Sequence, residues 1–331
     1  MQERLSGLKG AKYSIKLDLS AGYWQILMAE EDIPKTAFIA NGQLYEFVVM
    51  PFGLKTAPAT FQRMMDEVLE GLIDEGVLVY LDDVLIYADS IELLYKRLEL
   101  VLERLEESNL HIRAKKCLVG YKNIEYLGYL VSGTGIHKDM SKTQAIRDLP
   151  APKDIKKLRR FLGMASYYRN FITGFAAVVS PLNELLSKKK KYVWETKHQL
   201  ATDRLKDALC SDNEEYGVLR HPDFKLPFTI FTDASDHGVG AVFMQEGQPI
   251  WYASRTLNEL EVKYDTRDKE AIGIMFGLDK FQPYFYPGHV TVMTDHGNLR
   301  WLMALPAKRT AGSMAITIAN VRLHNKLCKS S

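Results

Sequence analysis

Two adjacent aspartates, Asp82 and Asp83, interrupt the apolar stretch VLVYLDDVLIYA, and no other feature constrains the fold of this 331-residue chain more strongly. The runs on either side are short and rich in Val, Leu, Ile and Tyr, which predicts a tight β-hairpin with the aspartates at its turn. Adjacent carboxylates between strands that favour burial repel each other unless a cation neutralises them. The segment therefore predicts a cation site or, because aspartate also favours turns for local reasons, a polar turn.

A third carboxylate extends this pattern. Asp18 ends the run KYSIKLDL, which predicts a strand that finishes at the aspartate. Mg²⁺ suits such carboxylates, because it is a hard ion that takes carboxylate oxygens, keeps waters and bridges to substrate phosphates. Two such ions about 3.5–4 Å apart stabilise the attacking and leaving oxygens of an in-line phosphoryl displacement. Asp18, Asp82 and Asp83 are therefore candidate ligands for two Mg²⁺ ions.

The apolar pattern predicts an α+β fold in two units. Helical spacing over 57–75 and 92–108 interleaves with strand-like runs, without the regular alternation of a parallel α/β sheet. Two prolines in LPAPKD indicate a boundary at 149–154, and a helical segment follows from 155. Three strand-like runs after residue 226, a helix over 265–282 and the strand VTVMTD form the second unit.

A second set of carboxylates occurs in this second unit. Asp233 ends the predicted strand FTIFTD, Glu270 lies early in the predicted helix, and Asp295 ends VTVMTD. Carboxylates at strand ends, together with a carboxylate from a helix, can hold catalytic metal ions. An acidic residue near a helix start also suits the helix dipole, so Glu270 by itself allows a structural interpretation.

The net charge of +2 conceals two halves of opposite sign. Residues 1–150 carry a net charge of −5 and the remainder a net charge of +7. The segment 153–191 contains ten basic residues and two acidic ones. Its basic residues are candidates for phosphate contacts, or they form a solvated helix face. The candidates are Lys156, Lys157, Arg159 and Arg160.

Several classes of protein are excluded. No run reaches the ~20 apolar residues of a membrane helix, and the N-terminus has no apolar signal core. Three cysteines without a CxxC pair cannot form a disulfide framework, which favours a reducing compartment. The histidines lack metal-ligand spacing, so zinc and acyl-transfer sites are poorly supported. We expect an intracellular location, in cytoplasmic particles, the nucleus or both.

Five segments resemble the motifs of reverse transcriptases, and the resemblance is closest to gypsy-like LTR retrotransposon polyproteins. Tyr80-Leu81-Asp82-Asp83 resembles the YxDD box of these enzymes. The other four segments are LDLSAGYWQI, MPFGLKTAPATFQ, KKC and YLGYLVSGTGI. The resemblance implies an RNA-directed DNA polymerase in which Asp18, Asp82 and Asp83 hold two Mg²⁺ or Mn²⁺ ions. It also implies an RNA template, a DNA primer and dNTPs as partners.

The same resemblance assigns substrate-binding residues. Tyr23 matches the aromatic position that excludes a ribose 2′-hydroxyl, although a half-buried structural tyrosine is the alternative. Phe52 and Gly53 match the nucleotide-positioning segment, where the phenyl ring provides packing rather than a hydrogen bond. Lys115 matches a lysine near the incoming triphosphate, with a solvated surface lysine as the alternative.

The second half resembles the RNase H domain of the same polyproteins, through TDASDHGVGAVFMQ, YDTRDKEAIGI and TDHGNLRWL. The resemblance implies that Asp233, Glu270 and Asp295 hold two Mg²⁺ or Mn²⁺ ions for RNA–DNA hybrid cleavage. The implied fold is a right-hand polymerase palm, thumb and connection followed by an RNase H-like domain. We predict palm, thumb and truncated fingers over 1–150, a connection over 151–222 and an RNase H-like domain over 223–331, truncated or divergent after about 303.

Two departures from the family pattern give further expectations. No Asp or Glu follows Asp295, so we expect RNA-strand cleavage to be severely weakened or absent. Only 17 residues precede Asp18, where the family has a longer fingers subdomain, so we expect little or no polymerisation by the isolated chain. A non-catalytic relic or domesticated fragment that binds nucleic acid is the alternative function. The sequence leaves the oligomeric state open.

Overall fold

The computed structural model describes residues 5–73, 75–187, 191–211, 217–286, 288–294 and 315–320. The chain divides into two compact units, Met1–Gly135 and Ile136–Ser331. The three segments predicted with boundaries at 150 and 222 remain predictions. Among the described residues, no helix combines the length and the apolar character that crossing a membrane requires.

The first unit is built on a four-stranded antiparallel sheet. The elements of this unit are β1 (Tyr13–Asp18), β2 (Phe38–Ala40), β3 (Gln43–Tyr45), α1 (Ala57–Val68), β4 (Val77–Tyr80), β5 (Asp83–Ala88), α2 (Ile91–Glu107), β6 (Leu118–Tyr121), β7 (Asn123–Tyr126) and β8 (Tyr129–Ser132). The strand order in the sheet is β4-β5-β1-β6, and two hairpins, β2–β3 and β7–β8, accompany it.

The core of this unit lies on one face of the sheet. Ile15 and Leu17 of β1 are buried there with Phe61 of α1 and Val101 of α2. Because side chains alternate across a strand, Lys16 and Asp18 belong to the opposite face.

Helix α1 is shorter than the sequence predicted. The helical spacing continues to residue 75, but the helix ends at Val68 and the chain turns through 69–73. Gly71 in this turn has φ +79°, a left-handed conformation that glycine adopts without steric cost. The prediction failed because apolar residues in a buried turn, such as Leu69, continued the helical pattern.

The second unit contains a five-stranded sheet with the order β13 (Gln248–Thr256), β12 (Gly238–Gln245), β11 (Phe228–Ala234), β14 (His289–Thr294) and β15 (Ala315–Asn320). Strands β11, β12 and β13 are antiparallel neighbours, whereas β14 lies parallel to β11 and to β15. The elements are β9 (Gly135–Lys138), α3 (Met140–Arg147), α4 (Ile155–Ser166), α5 (Phe175–Glu184), α6 (Thr196–Cys210), β10 (Val218–Leu219), β11 (Phe228–Ala234), β12 (Gly238–Gln245), β13 (Gln248–Thr256), α7 (Thr266–Phe285), β14 (His289–Thr294) and β15 (Ala315–Asn320).

Helix α7 packs closely on this sheet because small residues face it. A Cβ atom at Gly277 would lie 3.0 Å from Ile230 Cγ2 and 3.2 Å from Ala241 Cβ. Asp265 caps the helix by accepting a hydrogen bond from the backbone N–H of Asp268 at 2.8 Å. The cap and the close packing fix the position of the first turn of α7 relative to β11.

Candidate active sites

The predicted hairpin at the aspartate pair is present, and its turn is strained. Tyr80 pairs with Asp83 across β4 and β5, which leaves Leu81 and Asp82 as the two turn residues. Leu81 has φ +54°, a conformation that costs a residue with a Cβ atom about 1–2 kcal/mol. Such strain persists where the surrounding structure holds it in place, often at functional sites.

Gln62 of α1 holds this turn. Its Oε1 accepts a hydrogen bond from the backbone N–H of Leu81 at 2.8 Å, and its Nε2 donates to Asp66 Oδ1 at 3.0 Å. Gln62 lies within the segment MPFGLKTAPATFQ, but no local pattern indicates that its side chain reaches the turn. The structure adds Gln62 to the candidate site as a residue that positions Asp82.

The backbone brings the three predicted carboxylates to one end of the sheet. Asp18 lies directly opposite Asp83 in the antiparallel register of β1 and β5. The backbone N–H of Leu19 donates to the carbonyl of Asp82 at 3.2 Å, which fixes the turn beside the end of β1. Directly opposed residues have Cβ atoms about 4.5–5.5 Å apart, so Asp18 and Asp83 repel each other unless a cation intervenes.

Two lysines contact these carboxylates. Lys16 Nζ lies 3.0 Å from Asp83 Oδ1, and Lys116 Nζ lies 3.8 Å from Asp18 Oδ2. The sequence-predicted Lys115 is exposed on the same short 3₁₀ turn. The structure thus brings the neighbouring Lys116 to the carboxylates, and the role of Lys115 toward a triphosphate stays a prediction.

The donor chemistry of this cluster fits a hard divalent cation that also binds substrate oxygens. Within the described residues, no three or more His, Cys, Asp or Glu side chains are arranged as a complete metal-binding group. Lysines contact two of the three carboxylates, since Lys16 pairs with Asp83 and Lys116 lies near Asp18. Mg²⁺ sites commonly use one or two carboxylates with water and phosphate oxygens.

Tyr23 lies beside the aspartate turn, in a 3₁₀ turn (Gly22–Gln25) that follows β1. Burial raises the pKa of its hydroxyl, and the nearby Asp82 carboxylate adds to the rise. The hydroxyl therefore stays protonated at neutral pH. Its ring packs at 5.3 Å against Phe52 and also against Phe61, which holds it in place.

Phe52 and Gly53 line an open groove of about 460 Å³. The Phe52 side chain is 62% exposed, and the ring of Trp24, a residue that the sequence pattern did not predict at the site, packs against it at 5.7 Å. Gly53 has φ +95° and open space around its Cβ position, so the backbone conformation rather than crowding requires glycine there. Lys35 is the basic residue of the groove.

In the second unit, the structure brings Asp233 and Glu270 together. Glu270 is buried, and its Oε1 accepts a hydrogen bond from the backbone N–H of Ala234 at 3.2 Å, next to Asp233. Asp233 itself is exposed near the end of β11, and β14 runs parallel beside it. The third predicted carboxylate, Asp295, lies outside the described residues.

A lysine also stands beside this second pair. Lys269, adjacent to Glu270, is buried, and its Nζ lies 2.9 Å from Asp236 Oδ1. The hydrogen bond and the charge of Lys269 lower the pKa of Asp236. This ion pair ties the loop that follows β11 to the first turn of α7.

The four predicted phosphate-binding residues all lie on α4. Lys156, Lys157, Arg159 and Arg160 are exposed. The opposite face of the helix buries its apolar residues, among them Leu158 and Phe161. Helix α4 therefore presents a continuous basic surface, as its sequence pattern predicted.

Comparison with known sequences places both sites in established families. Residues 2–131 match the family described as reverse transcriptase (RNA-dependent DNA polymerase). Residues 194–292 match the RNase H-like domain found in reverse transcriptase. The Pol polyprotein of transposon gypsy from Drosophila melanogaster is 39% identical to this chain over 312 residues. The chain is similar to the reverse transcriptase and RNase H-like segment of gypsy-like retrotransposon Pol polyproteins. The sequence resemblance is thereby confirmed.

The chain matches only part of these polyproteins. The match to the gypsy polyprotein covers 91% of this chain and 30% of the relative. The Pol polyprotein of transposon opus from Drosophila melanogaster is 41% identical over 316 residues, covering 90% of this chain and 31% of the relative. The chain therefore spans less than a third of the length of these two relatives.

Solved structures confirm the fold of the reverse transcriptase and RNase H-like segment. A foamy viral protease-reverse transcriptase in complex with an RNA/DNA hybrid superposes with a TM-score of 0.84 at 22% identity, covering 100% of this chain and 46% of that one. A second foamy viral structure, in complex with double-stranded DNA, gives a TM-score of 0.81 at 23% identity, covering 96% of this chain and 58% of the other.

Proposed function

We propose that this segment performs RNA-directed DNA polymerisation by two-metal nucleotidyl transfer in its first unit and hydrolyses RNA–DNA hybrids in its second. The observation that carries the proposal is the register of β1 and β5, which places Asp18 opposite Asp83 beside a strained turn that presents Asp82. The hydrogen bond from the backbone N–H of Leu81 to Gln62 Oε1 at 2.8 Å holds this turn and supports its role in presenting Asp82.

In the polymerase, Asp18, Asp82 and Asp83 would hold two Mg²⁺ or Mn²⁺ ions. These ions, when bound, stabilise the charges on the attacking and leaving oxygens of the displacement at the dNTP α-phosphorus. Tyr23, held by Phe52 and Phe61, would close the space beside the sugar, so that a 2′-hydroxyl would meet the ring. Phe52 and Gly53 would line the nucleotide site, Phe52 through the packing of its ring and Gly53 through its backbone conformation.

The carboxylates of the second unit support the hydrolytic proposal. Glu270 is oriented by the backbone of β11, because its Oε1 accepts a hydrogen bond from the N–H of Ala234, the residue after Asp233. These two residues would hold the ions of the RNase H-like site together with Asp295. Their role as metal ligands stays a prediction.

Nucleic-acid partners follow from the same proposal. The foamy viral structures were solved with an RNA/DNA hybrid and with double-stranded DNA. An RNA template, a DNA primer and dNTPs are the corresponding partners here, and the basic face of α4 is the proposed phosphate contact. A relic without catalytic activity is not favoured by any observation of the site.

Primer extension on an RNA template tests the polymerase proposal. Incorporation by the isolated chain should be weak and should require Mg²⁺ or Mn²⁺, and Asp82→Asn should abolish it, because a metal ligand is lost. Hybrid cleavage by the same preparation should also be weak, should survive Asp82→Asn and should be lost in Glu270→Gln. Incorporation that persists in Asp82→Asn would contradict the assignment of the first site, and cleavage that persists in Glu270→Gln would contradict the second.

A further inference from the structure

The 3₁₀ turn Gly22–Gln25, which carries Tyr23, begins after a strained residue. Ala21 precedes the turn with φ 52° and ψ 49°, a left-handed conformation that is unfavourable for a residue with a Cβ atom. One side of the turn is closed against the core, because a Cβ atom at Gly22 would lie 2.8 Å from Phe61 Cζ. A backbone in this conformation persists only where neighbouring groups hold it.

Gln25 holds the other side of the turn through both polar atoms of its side-chain amide. Its Oε1 accepts a hydrogen bond from the backbone N–H of His111 at 2.6 Å. Its Nε2 donates to the carbonyl of His111 at 3.0 Å and to the carbonyl of Ser20 at 2.7 Å. Because donors and acceptors are complementary, the amide has one favourable orientation.

The segment that Gln25 contacts is itself fixed to the end of β1. The backbone N–H of Ser20 donates to the carbonyl of His111 at 2.9 Å, and the N–H of Arg113 donates to the carbonyl of Asp18 at 2.7 Å. Gln25 extends this short antiparallel ladder, because its amide pairs with His111 as a backbone peptide group would. The turn is therefore tied to the sheet by a directional contact as well as by packing.

This contact bears on the position of the Tyr23 ring, two residues before Gln25. The ring packs against Phe52 and Phe61, with 5.3 Å between the ring centres in each pair. Apolar packing is non-directional, whereas hydrogen bonds depend steeply on angle. The direction in which the ring projects from the turn therefore depends on the backbone that Gln25 holds.

We propose that Gln25 is a positioning residue for sugar selection, which holds the turn so that the Tyr23 ring excludes a ribonucleotide and admits a deoxyribonucleotide. This inference rests on the proposed polymerase function and deepens it. In this role Gln25 acts through Tyr23 and not by contact with the nucleotide. Its loss therefore lowers the preference for dNTPs over ribonucleotides.

Single-nucleotide incorporation by the full chain on an RNA template with a DNA primer tests the inference. The quantity measured is the selectivity, which is kcat/KM for dATP divided by kcat/KM for ATP, with Mg²⁺ as the cation. Gln25→Met keeps the length of the side chain and removes its three hydrogen bonds, so the selectivity should fall about tenfold. A merely structural residue would lower both kcat/KM values equally and leave their ratio unchanged.

A double-mutant cycle with Tyr23→Val shows whether Gln25 acts through the ring. Tyr23→Val should lower the selectivity at least as far as Gln25→Met does. Addition of Gln25→Met to Tyr23→Val should lower it no further, because the ring is already absent. Gln43→Met is the matched control and should keep the parent selectivity, since Gln43 Oε1 accepts its hydrogen bond from the Tyr45 hydroxyl at 2.8 Å on the exposed hairpin β2–β3.

Hydrogen exchange, followed by mass spectrometry, separates this inference from the proposed function. The amide of His111 should exchange about tenfold faster in Gln25→Met, because it loses its acceptor, and at the parent rate in Gln43→Met. A chain that incorporates no nucleotide would refute the proposed polymerase function. The exchange rate would still decide whether Gln25 holds the turn.

Three results would overturn the inference. The first is a parent-like selectivity in Gln25→Met when Tyr23→Val has lost it. The second is a further loss of selectivity when the two substitutions are combined, which would mean that Gln25 does not act through Tyr23. The third is exchange at His111 that is as slow in Gln25→Met as in the parent chain. Unchanged selectivity in Tyr23→Val would instead refute the proposed role of Tyr23.

Discussion

At the scale of the residue, the strain at Leu81 shows how this fold presents a carboxylate. A two-residue turn with a left-handed leucine is unfavourable by itself. Gln62 compensates, because its amide oxygen accepts the hydrogen bond of the Leu81 N–H at 2.8 Å. Asp82 therefore depends for its position on a side chain that is 20 residues away in the sequence.

We expect Gln62→Met to lower the free energy of unfolding by about 1–2 kcal/mol, because it leaves the N–H of Leu81 without its acceptor. Primer extension should fall as well, since the Asp82 turn is released. Urea unfolding and the extension assay measure the two effects.

Gln144→Met is the matched control for this variant. Gln144 also bonds to an aspartate four residues later, with Nε2 donating to Asp148 Oδ1 at 2.8 Å on an exposed helix face. Loss of that bond should cost only about 0.2–0.5 kcal/mol. Equal costs for the two variants would show that the bond to Leu81 contributes nothing.

At the scale of the element, the position of α7 depends on a glycine that faces the sheet. Gly277 allows the helix axis to approach β11 and β12, with Ile230 and Ala241 at contact distance from its Cβ position. This approach places Glu270, two turns earlier on the same helix, against the backbone of Ala234. Helix packing and the candidate site are thus coupled.

We expect Gly277→Ala and Gly163→Ala to change stability in opposite directions. Gly163 lies on the exposed face of α4 with open space at its Cβ position, so alanine should stabilise the helix by about 0.5–1 kcal/mol. At Gly277, overpacking of about 1–3 kcal/mol should exceed that gain and destabilise the protein by about 1 kcal/mol. Urea unfolding of the full chain measures both changes in stability. A higher stability of Gly277→Ala would show that the sheet residues in contact with position 277 move aside without an energetic cost.

At the scale of the whole molecule, the charge is distributed in keeping with a polyanionic partner. The acidic first 150 residues contain the candidate cation site, and the basic residues of α4 lie beyond it in the chain. Carboxylates attract cations, and a basic helix face binds phosphates. The small net charge of +2 hides both properties.

We expect the basic face of α4 to control the salt dependence of nucleic-acid binding. Replacing Lys156 and Arg160 by Gln should weaken binding to an RNA–DNA hybrid, and the slope of log K against log salt should become shallower by up to about 1.8. Fluorescence anisotropy over a range of salt concentrations measures the slope. The same replacement at Lys225 and Lys263, two exposed lysines of the second unit, is the control. If the α4 variant has the same slope as the parent chain, α4 does not contact the nucleic acid.

Local patterns in the sequence were sufficient for many elements but missed others. Strand β1, the aspartate hairpin and the three strands before α7 were predicted, because alternation or β-propensity marks them. Hairpin β2–β3 was missed because most of its side chains are exposed and give no alternating pattern. Its Asn41-Gly42 turn, with both residues at positive φ, was the available signal.

The sequence by itself predicted the candidate cation site and the basic helix face of this protein, because carboxylates within apolar strands and clustered basic residues are local features that composition and spacing express. It identified Asp18, Asp82 and Asp83 as a group. Only the tertiary structure decided how they are arranged, since the register of β1 against β5 sets which charges meet. The contact between Lys16 and Asp83 joins residues from two strands separated by more than 60 residues, and no local pattern encodes that distance.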